Sequence, residues 1–565
     1  MGRVVANAGW LQAFLQADPY DAYHFFLQDE AQCATFMQAA EEGATAAFTR
    51  GALQVMVRPH LERALAAGQY HCFHLSDPVT EQPHLARLRN VLAPQLFPVT
   101  GVTHSLSYAS YPEKFLAHLW RGCTPRDGVV ATSAAGKAVV ERLFASLRAA
   151  YGMDPQQVPG PCVPTIPLGV DPATLPVPDG DLRVATRARY GVEDDTTLVL
   201  VVGRICHYAK MDLLPLLRAA VRAEQQLGRR GALQLVFAGY VSAGDDMPDQ
   251  LMQLARAVGL RCTVVASPDM ATRNGLYAAA DVFCSPSDSV QETFGLTLLE
   301  AAAAGLPVVA SDWDGYRDLV LHGETGILVP TTGPQVTGAT NALARVVFDN
   351  QYHLRLAQQV AVDVGGLAQA LAHLAAAPDV RRSMGRAGRN RVLGEFAWEH
   401  VIGRWVALWD DLWSRPVDDG CRQVVHPLHM DFAHIFGTYP TQELQPQHRV
   451  CITRTGEAVY RGVEHPVLYG GVEPLVDGDL LHHLLFVARK PVAVADVLRS
   501  IAARGAGGAT PSDSAEGGRA VPGGGDDAAA GASGRAGCTV GASGGEGVSF
   551  LLLWALKHDL LEYCS

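Results

Sequence analysis

Thr197-Leu198-Val199-Leu200-Val201-Val202 is an almost unbroken run of apolar, largely β-branched residues. Such a run marks a strand buried on both faces, which requires helices above and below it. The theme repeats at Leu233–Ala238, Cys262–Ala266, Asp281–Ser285, Pro307–Ser311 and Gly326–Val329, with helical stretches between. Earlier strand-like pieces are Arg3–Ala6, Tyr23–Leu27, His71–Leu75, Phe97–Thr103, Gly128–Thr132 and Val163–Pro167, with helical patterns at Pro83–Leu92 and Gly136–Arg148. Strands alternating with helices predict an α/β chain built on parallel sheets. The predicted fold class is two tandem doubly wound domains, residues 1–171 and 183–413, facing across a cleft. A Pro- and Asp-rich stretch at 172–182 separates them.

Residues 364–413 read as helical and end in Phe396, Trp398, Trp405, Trp409 and Trp413, a stripe that suits core or domain packing. From residue 420 the texture changes, and 420–565 is expected to be a small appended α+β domain. Val450–Ile452 and Ala458–Tyr460 flank Thr453-Arg454-Thr455-Gly456, a pattern that predicts a hairpin. Leu480–Ala488 and Val492–Ala502 read as helices. Residues 504–547 are dominated by Gly, Ala, Ser and Asp and hold no aromatic, Leu, Ile or Met. Such a tract buries too little apolar surface to offset its ordering entropy, so a disordered insert is expected there. Val548–Tyr563 then restores an apolar face.

A formal charge of −12 argues against a nucleic-acid-coating protein, which wants a basic face. The 11 cysteines include no Cys-x-x-Cys pair and read as reduced thiols. His71-Cys72-Phe73-His74 lies in a strand-like run, where alternation sends neighbours to opposite faces, so it is not read as a metal site. No apolar run approaches the ~20 residues that span a bilayer, and the start lacks a signal-peptide pattern. A cytoplasmic, multi-domain protein is expected.

Three features of the second domain belong together. Val202-Gly203-Arg204 ends its opening strand and Lys210 follows, so two cations stand where a diphosphate could be clamped. Glu292-Thr293-Phe294-Gly295-Leu296-Thr297-Leu298-Leu299-Glu300 opens a helix whose free amides and dipole suit a phosphate. Its two carboxylates suit sugar and ribose hydroxyls. His104, after the strand Phe97–Thr103, aims at the same cleft from the first domain. Asp312-Trp313-Asp314 spells an Asp-x-Asp, a pattern that grips divalent cations elsewhere, but it stands between the strand Pro307–Ser311 and Gly315 and no metal is expected.

On these residues the stretch 3–413 resembles the family 4 retaining glycosyltransferases, with their two Rossmann-like domains in the GT-B arrangement. The resemblance rests on Gly203-Arg204 with Lys210, the Glu-x7-Glu of Glu292 and Glu300, and Ala301 to Gly305-x-Pro307-Val308-Val309. Ile166-Pro167-Leu168-Gly169-Val170-Asp171 and Gly323-Glu324-Thr325-Gly326-Ile327-Leu328-Val329-Pro330 support it, as do His104-Ser105-Leu106 and Ala131-Thr132-Ser133 in the first domain.

The resemblance implies that Arg204 and Lys210 neutralise the departing diphosphate and that Glu292 contacts the transferring sugar. It implies that Gly203, Phe294, Gly295, Leu296 and Thr297 help hold the donor, that Glu300 binds the ribose, and that His104 lines the cleft. The family's Gly-rich loop after the first strand has only Asn7-Ala8-Gly9 to stand for it, which nominates Gly9 for the donor loop of a compressed or truncated start.

The implied reaction is retaining transfer from a nucleotide-diphosphate sugar to a glycan, lipid-linked or small-molecule acceptor, with no metal and no cofactor beyond the donor substrate. The alternatives are a nucleotide-sugar epimerase or a synthase on the same fold, or a non-catalytic nucleotide-sugar sensor signalling through a protein partner of the C-terminal domain. Peripheral contact with the inner membrane face is compatible with lipid-linked acceptors.

Overall fold

The computed structural model describes residues 2–175, 180–206, 208–347, 349–469, 472, 475–506 and 546–564. The chain divides into two units, Met1–Val57 with Gly68–Leu428, and Arg58–Ala67 with His429–Ser565.

In the first half of the larger unit, β1 (Tyr23–Leu27) and β2 (Leu53–Val57) pair in parallel. Strands β3 (Phe73–Leu75), β4 (Val99–Val102) and β5 (Asp127–Val130) form a separate three-stranded parallel sheet. Alternation along the strands sends Val102 and Val130 into a core with Phe14, Tyr23, Trp405 and Trp409. Val129 points the other way, to Phe115, Val140 and Phe144. Arg89 and Asp127, both buried, join the helix Gln82–Leu92 to the start of β5 through a 2.8 Å ion pair.

The second half is one six-stranded parallel sheet of β6 (Thr197–Val202), β7 (Leu233–Gly239), β8 (Arg261–Ala266), β9 (Val282–Ser285), β10 (Val308–Ser311) and β11 (Gly326–Val329). Its order is β11-β10-β9-β6-β7-β8. Val199 and Val201 pack beneath Leu216, Leu217 and Leu371, whereas Leu198, Leu200 and Val202 face Leu276, Leu298 and Leu299. Both faces are dry, as the β6 run requires. The winding reverses between β6 and β9, and in such sheets the crevice beyond the carboxyl ends of those two strands takes the ligand.

The helix Trp398–Ser414 ends the second half yet packs into the first. Trp405 and Trp409 are core residues there, and the Trp409 indole donates to Thr100 Oγ1 at 3.0 Å. Beyond it Arg422 donates to the carbonyls of Asn90 and Ala93 (3.0 and 2.8 Å). The chain therefore belongs to the larger unit as far as Leu428, past the expected boundary at 420.

Several expectations are corrected. Arg3–Ala6 is not a strand: it opens the helix Gly2–Ala17. Val4 and Val5 favour a strand locally, but both are exposed, and Ala6, Trp10 and Phe14 recur at the helical i, i+4 spacing on the covered side. Val163–Pro167 makes only isolated bridges beside β5, because its prolines lack the N–H a ladder needs. Leu53–Val57, which was not anticipated, is a strand.

In the smaller unit Arg449–Ile452 is the centre of a three-stranded antiparallel sheet, between Val492–Ala493 and Leu561–Tyr563. The hairpin expected around Thr453–Gly456 is instead a helix start. Thr453 Oγ1 accepts from the Gly456 amide at 2.9 Å and caps Arg454–Tyr460. Helices Gly478–Val487, Val494–Ala506 and Glu546–Lys557 cover the sheet through Leu484, Leu485, Val497, Leu552 and Ala555. Of the Gly/Ala-rich insert expected at 504–547, residues 507–545 lie outside the described residues, and its two ends belong to the flanking helices. Among the described residues no helix is long and apolar enough to cross a membrane.

Candidate functional site

At the switch point between β6 and β9, Lys210 and Glu292 meet. Lys210 follows β6 and Glu292 sits on the loop after β9, and Lys210 Nζ donates to Glu292 Oε2 in an ion pair that leaves both side chains largely buried. Burial pushes the Glu292 carboxyl up, but the Lys210 charge and hydrogen bond outweigh it and hold the group below its ordinary value. Burial likewise pushes Lys210 down, and the Glu292 charge more than reverses it. Tyr316 closes the cluster: its hydroxyl lies 2.8 Å from Ser285 Oγ and 3.4 Å from Glu292 Oε2.

The loop around Glu292 is held on several sides. Ser287 Oγ donates to the Lys210 carbonyl at 2.9 Å, and the Trp313 indole donates to the Ser289 carbonyl at 3.1 Å. Arg204, exposed, reaches the Ala209 carbonyl at 3.3 Å and Gln291 Oε1 at 3.5 Å. Its side chain is therefore available to an anion entering between Gly203 and Lys210.

Three residues past Glu292, Gly295 caps the helix Leu296–Ala303 in a left-handed conformation with φ 110°. A Cβ at that position would lie 2.5 Å from the Tyr316 ring, so only glycine lets the loop turn into the helix under Tyr316. The Leu298 amide already donates to the Gly295 carbonyl at 2.9 Å, which leaves the Leu296 and Thr297 amides at the helix start facing the crevice, the arrangement that binds phosphate. One turn further on, Glu300 is buried. Tyr277 Oη donates to its Oε2 at 2.9 Å and Arg273 lies 3.3 Å from its Oε1. Burial raises the Glu300 carboxyl despite the Arg273 charge.

The first half closes over this loop. Ser105 Oγ donates to the Gln291 carbonyl at 2.9 Å, and Ser133 Oγ to the Thr293 carbonyl at 2.7 Å. His104, one residue before that contact, has Nε2 3.1 Å from the Ser76 carbonyl, and burial lowers its pKa. Between Thr332 and Ala361 the chain sends a further bridge across. His353 is fully buried, 2.7 Å from Gln291 Nε2 through Nδ1 and 3.1 Å from the Ser107 carbonyl through Nε2. Arg345 donates to the Ala109 carbonyl and to Glu113 Oε2 (2.9 and 2.7 Å).

Of the residues nominated from sequence, Gly203, Arg204, Lys210, Glu292, Gly295, Leu296 and Thr297 lie around one crevice, with Glu300 behind it and His104 on its first-half rim, while the Phe294 ring belongs to the core with Leu276 and Leu298. Gly9 does not. It lies within the helix Gly2–Ala17, where a Cβ would sit 3.1 Å from the Trp398 indole, and Gly169 flanks the same ring. Both glycines make room for Trp398, and neither belongs to a donor loop.

The Asp-x-Asp carboxylates are not used together: Asp312 pairs with Arg317 at 2.6 Å, and Asp314 is enclosed beside Glu292. Asp314, Tyr316, Tyr277, Gln291 and His353 escaped the sequence reading. Asp314 alone carried a signal there, read only as part of the Asp-x-Asp.

A doubly wound parallel sheet that presents two cations, a carboxylate pair and a helix N-terminus at its switch point has the form of a nucleotide-binding unit. Residues 183–362, which contain all of these groups, match the family described as glycosyl transferases group 1. The D-inositol 3-phosphate glycosyltransferase of Kineococcus radiotolerans is 38% identical over 195 residues, 33% of this chain and 43% of the relative. That of Kribbella flavida is 35% identical over 245 residues, 41% of this chain and 49% of the relative. The chain spans about half the length of these curated relatives or less. Among solved structures, Anabaena HepE in complex with UDP is 15% identical with a TM-score of 0.48, over 71% of this chain and 96% of that one.

Proposed function

We propose that this chain is a retaining glycosyltransferase that moves a sugar from a nucleotide-diphosphate-sugar donor to an acceptor without a metal. The observation that carries the reading is the Lys210–Glu292 pair beside the N-terminus of Leu296–Ala303, with Arg204 free to join it. Cleaving a sugar–phosphate bond develops positive charge at the anomeric carbon and negative charge on the leaving diphosphate. Arg204, Lys210 and the helix amides are fixed donors for the second charge, the kind of preorganised stabilisation that supplies much of a catalytic effect. When a diphosphate takes the Lys210 ammonium, Glu292 is released toward the sugar hydroxyls. Glu300 holds the ribose, and the acceptor enters from the first-half rim past His104.

The reading is tested first by thermal shift with UDP, GDP, ADP and their sugar conjugates. A ligand at a hundredfold excess over its Kd stabilises the native state by about 2.7 kcal/mol. The expected result is a shift with one nucleotide series, reduced in Lys210→Ala and Glu300→Ala. The transfer step is then followed by product analysis with the bound conjugate and an acceptor panel that includes D-inositol 3-phosphate, the compound in the relatives' names. A sugar nucleotide that binds but yields neither transfer nor hydrolysis across the panel would sink the enzymatic reading.

A further inference from the structure

The turn after β10 brings a second carboxyl beside Glu292. Asp314 has a left-handed backbone, φ 52°. Its neighbours pin the turn from both halves. The Trp313 indole donates to Ser289 O, and the Ala134 amide, at the head of the first-half helix Ala134–Tyr151, donates to Asp318 Oδ2 at 2.6 Å.

Asp314 is thus enclosed where the halves meet, and its Oδ2 is buried with no hydrogen-bond partner. The same holds for Thr297 Oγ1, in the first turn after Gly295, and for Thr132 Oγ1, just past the end of β5. Buried polar atoms without partners are costly, and three of them on segments that converge at one crevice point to a polar ligand between them. Burial and the Glu292 charge push the Asp314 carboxyl up to about 8, so at neutral pH it mostly carries a proton and can donate as well as accept.

Resting on the sugar-transfer reading, we propose that Asp314 is a specificity-determining residue of the sugar subsite. Its carboxyl hydrogen-bonds a hydroxyl of the transferring sugar and, with Glu292, selects neutral hydroxylated sugars over sugars that bear a carboxylate. Two carboxyl groups already share the pocket, and a third brought in by a uronic acid would be repelled by the released Glu292 and left without a cation, since the diphosphate takes both Lys210 and Arg204.

Asparagine and glycine both accept a left-handed backbone, so Asp314→Asn and Asp314→Gly alter the side chain without straining the turn. The test is calorimetric titration of the wild type and both variants with UDP, UDP-glucose and UDP-glucuronate, and with the GDP and ADP counterparts. Thermal midpoints without ligand confirm that the variants are folded. Nucleoside diphosphate affinity is expected to stay within about twofold in all three proteins. Affinity for the glucosyl conjugate should fall roughly tenfold in Asp314→Gly, as loss of one hydrogen bond predicts, and be largely kept in Asp314→Asn. The wild type should prefer glucosyl to glucuronosyl, a preference that is kept in Asp314→Asn and narrows in Asp314→Gly.

Unchanged glucosyl affinity in Asp314→Gly, with diphosphate binding intact, overturns the assignment of Asp314 alone. Wild-type protein that binds no nucleoside diphosphate overturns the sugar-transfer reading and this inference with it.

Discussion

Lys210 and Glu292 stand 82 positions apart in sequence and close an ion pair at the point where the sheet changes its winding direction. Neither partner is reached by any local interaction of the other. They are joined because β6 and β9 are neighbours, so the loops that leave those strands emerge side by side. The carboxylate keeps a buried cation satisfied, and on the proposed function the pair is the resting state of a phosphate site.

Breaking the pair from one side should cost more than breaking it from both. Lys210→Ala leaves the Glu292 carboxylate without its cation, and removal of one partner of a buried pair costs about 3–5 kcal/mol. The double variant Lys210→Met with Glu292→Gln removes both charges and should recover most of that loss. Urea midpoints of the single and double variants measure the difference, and additive losses would show that the two groups do not depend on each other. The pH dependence follows in sign. The Glu292 pKa is lowered in the folded state, so its contribution is present above the ordinary carboxylate range and is lost as the pH falls through the folded value.

Gly295→Ala should damage the site without touching a charged group. The φ of 110° is strained for any side chain, and the Cβ would press on the Tyr316 ring. A backbone strain of about 1–3 kcal/mol is expected, together with loss of nucleotide binding as the loop and helix shift. Normal binding in a stable Gly295→Ala protein would contradict the account of how this loop is held.

His353 should give closure of the two halves a pH dependence. With Nε2 facing the Ser107 carbonyl and Nδ1 facing the Gln291 amide nitrogen, the neutral ring is the form that satisfies both neighbours. Burial lowers its pKa, outweighing the Ser107 hydrogen bond and the Asp349 charge, which raise it; Arg204 lowers it further. The contribution is therefore complete above the ordinary imidazole value of ~6.5 and is lost as the pH falls toward the folded value. The thermal advantage of wild type over His353→Asn should shrink between about pH 7.5 and 5.5. His74 and His118, also lowered by burial, are present in both proteins and cancel. Parallel curves for the two proteins would remove His353 from the argument.

The fold was most legible where burial is complete. Thr197–Val202 and Val308–Ser311 fall where the apolar runs place them, since a strand buried on both faces uses so continuous a pattern. Arg3–Ala6 misled because two exposed valines carried the propensity while the helix answered to Ala6, Trp10 and Phe14. Thr453–Gly456 misled because the polar and glycine residues of a tight turn also serve a helix cap. At the candidate site, Arg204, Lys210, Glu292 and Glu300 were readable because they flank strand ends and a helix start. His353 and Asp314 were not: His353 meets Ser107 of the other half, and Asp314 meets Glu292 and Lys210 from separate loops, pairings that local spacing does not encode.

Gly9 supplies the sharpest check on the corrected N-terminus. If it served a donor loop, a side chain there would weaken nucleotide binding. Placed against Trp398 in a helix, it should do something else: Gly9→Leu must displace the indole, which is also pressed by Gly169 and sits beside the Trp405 and Trp409 core. Overpacking of this kind typically costs about 1–3 kcal/mol. The milder Gly9→Ala meets the ring at 3.1 Å, where a small shift of the indole suffices, and the better helix propensity of alanine, worth up to about 1 kcal/mol, offsets the contact. The expected pattern is a lower thermal midpoint for leucine, a near-neutral one for alanine, and nucleoside diphosphate affinity unchanged in both. A selective loss of affinity in folded Gly9→Ala would restore Gly9 to the donor site.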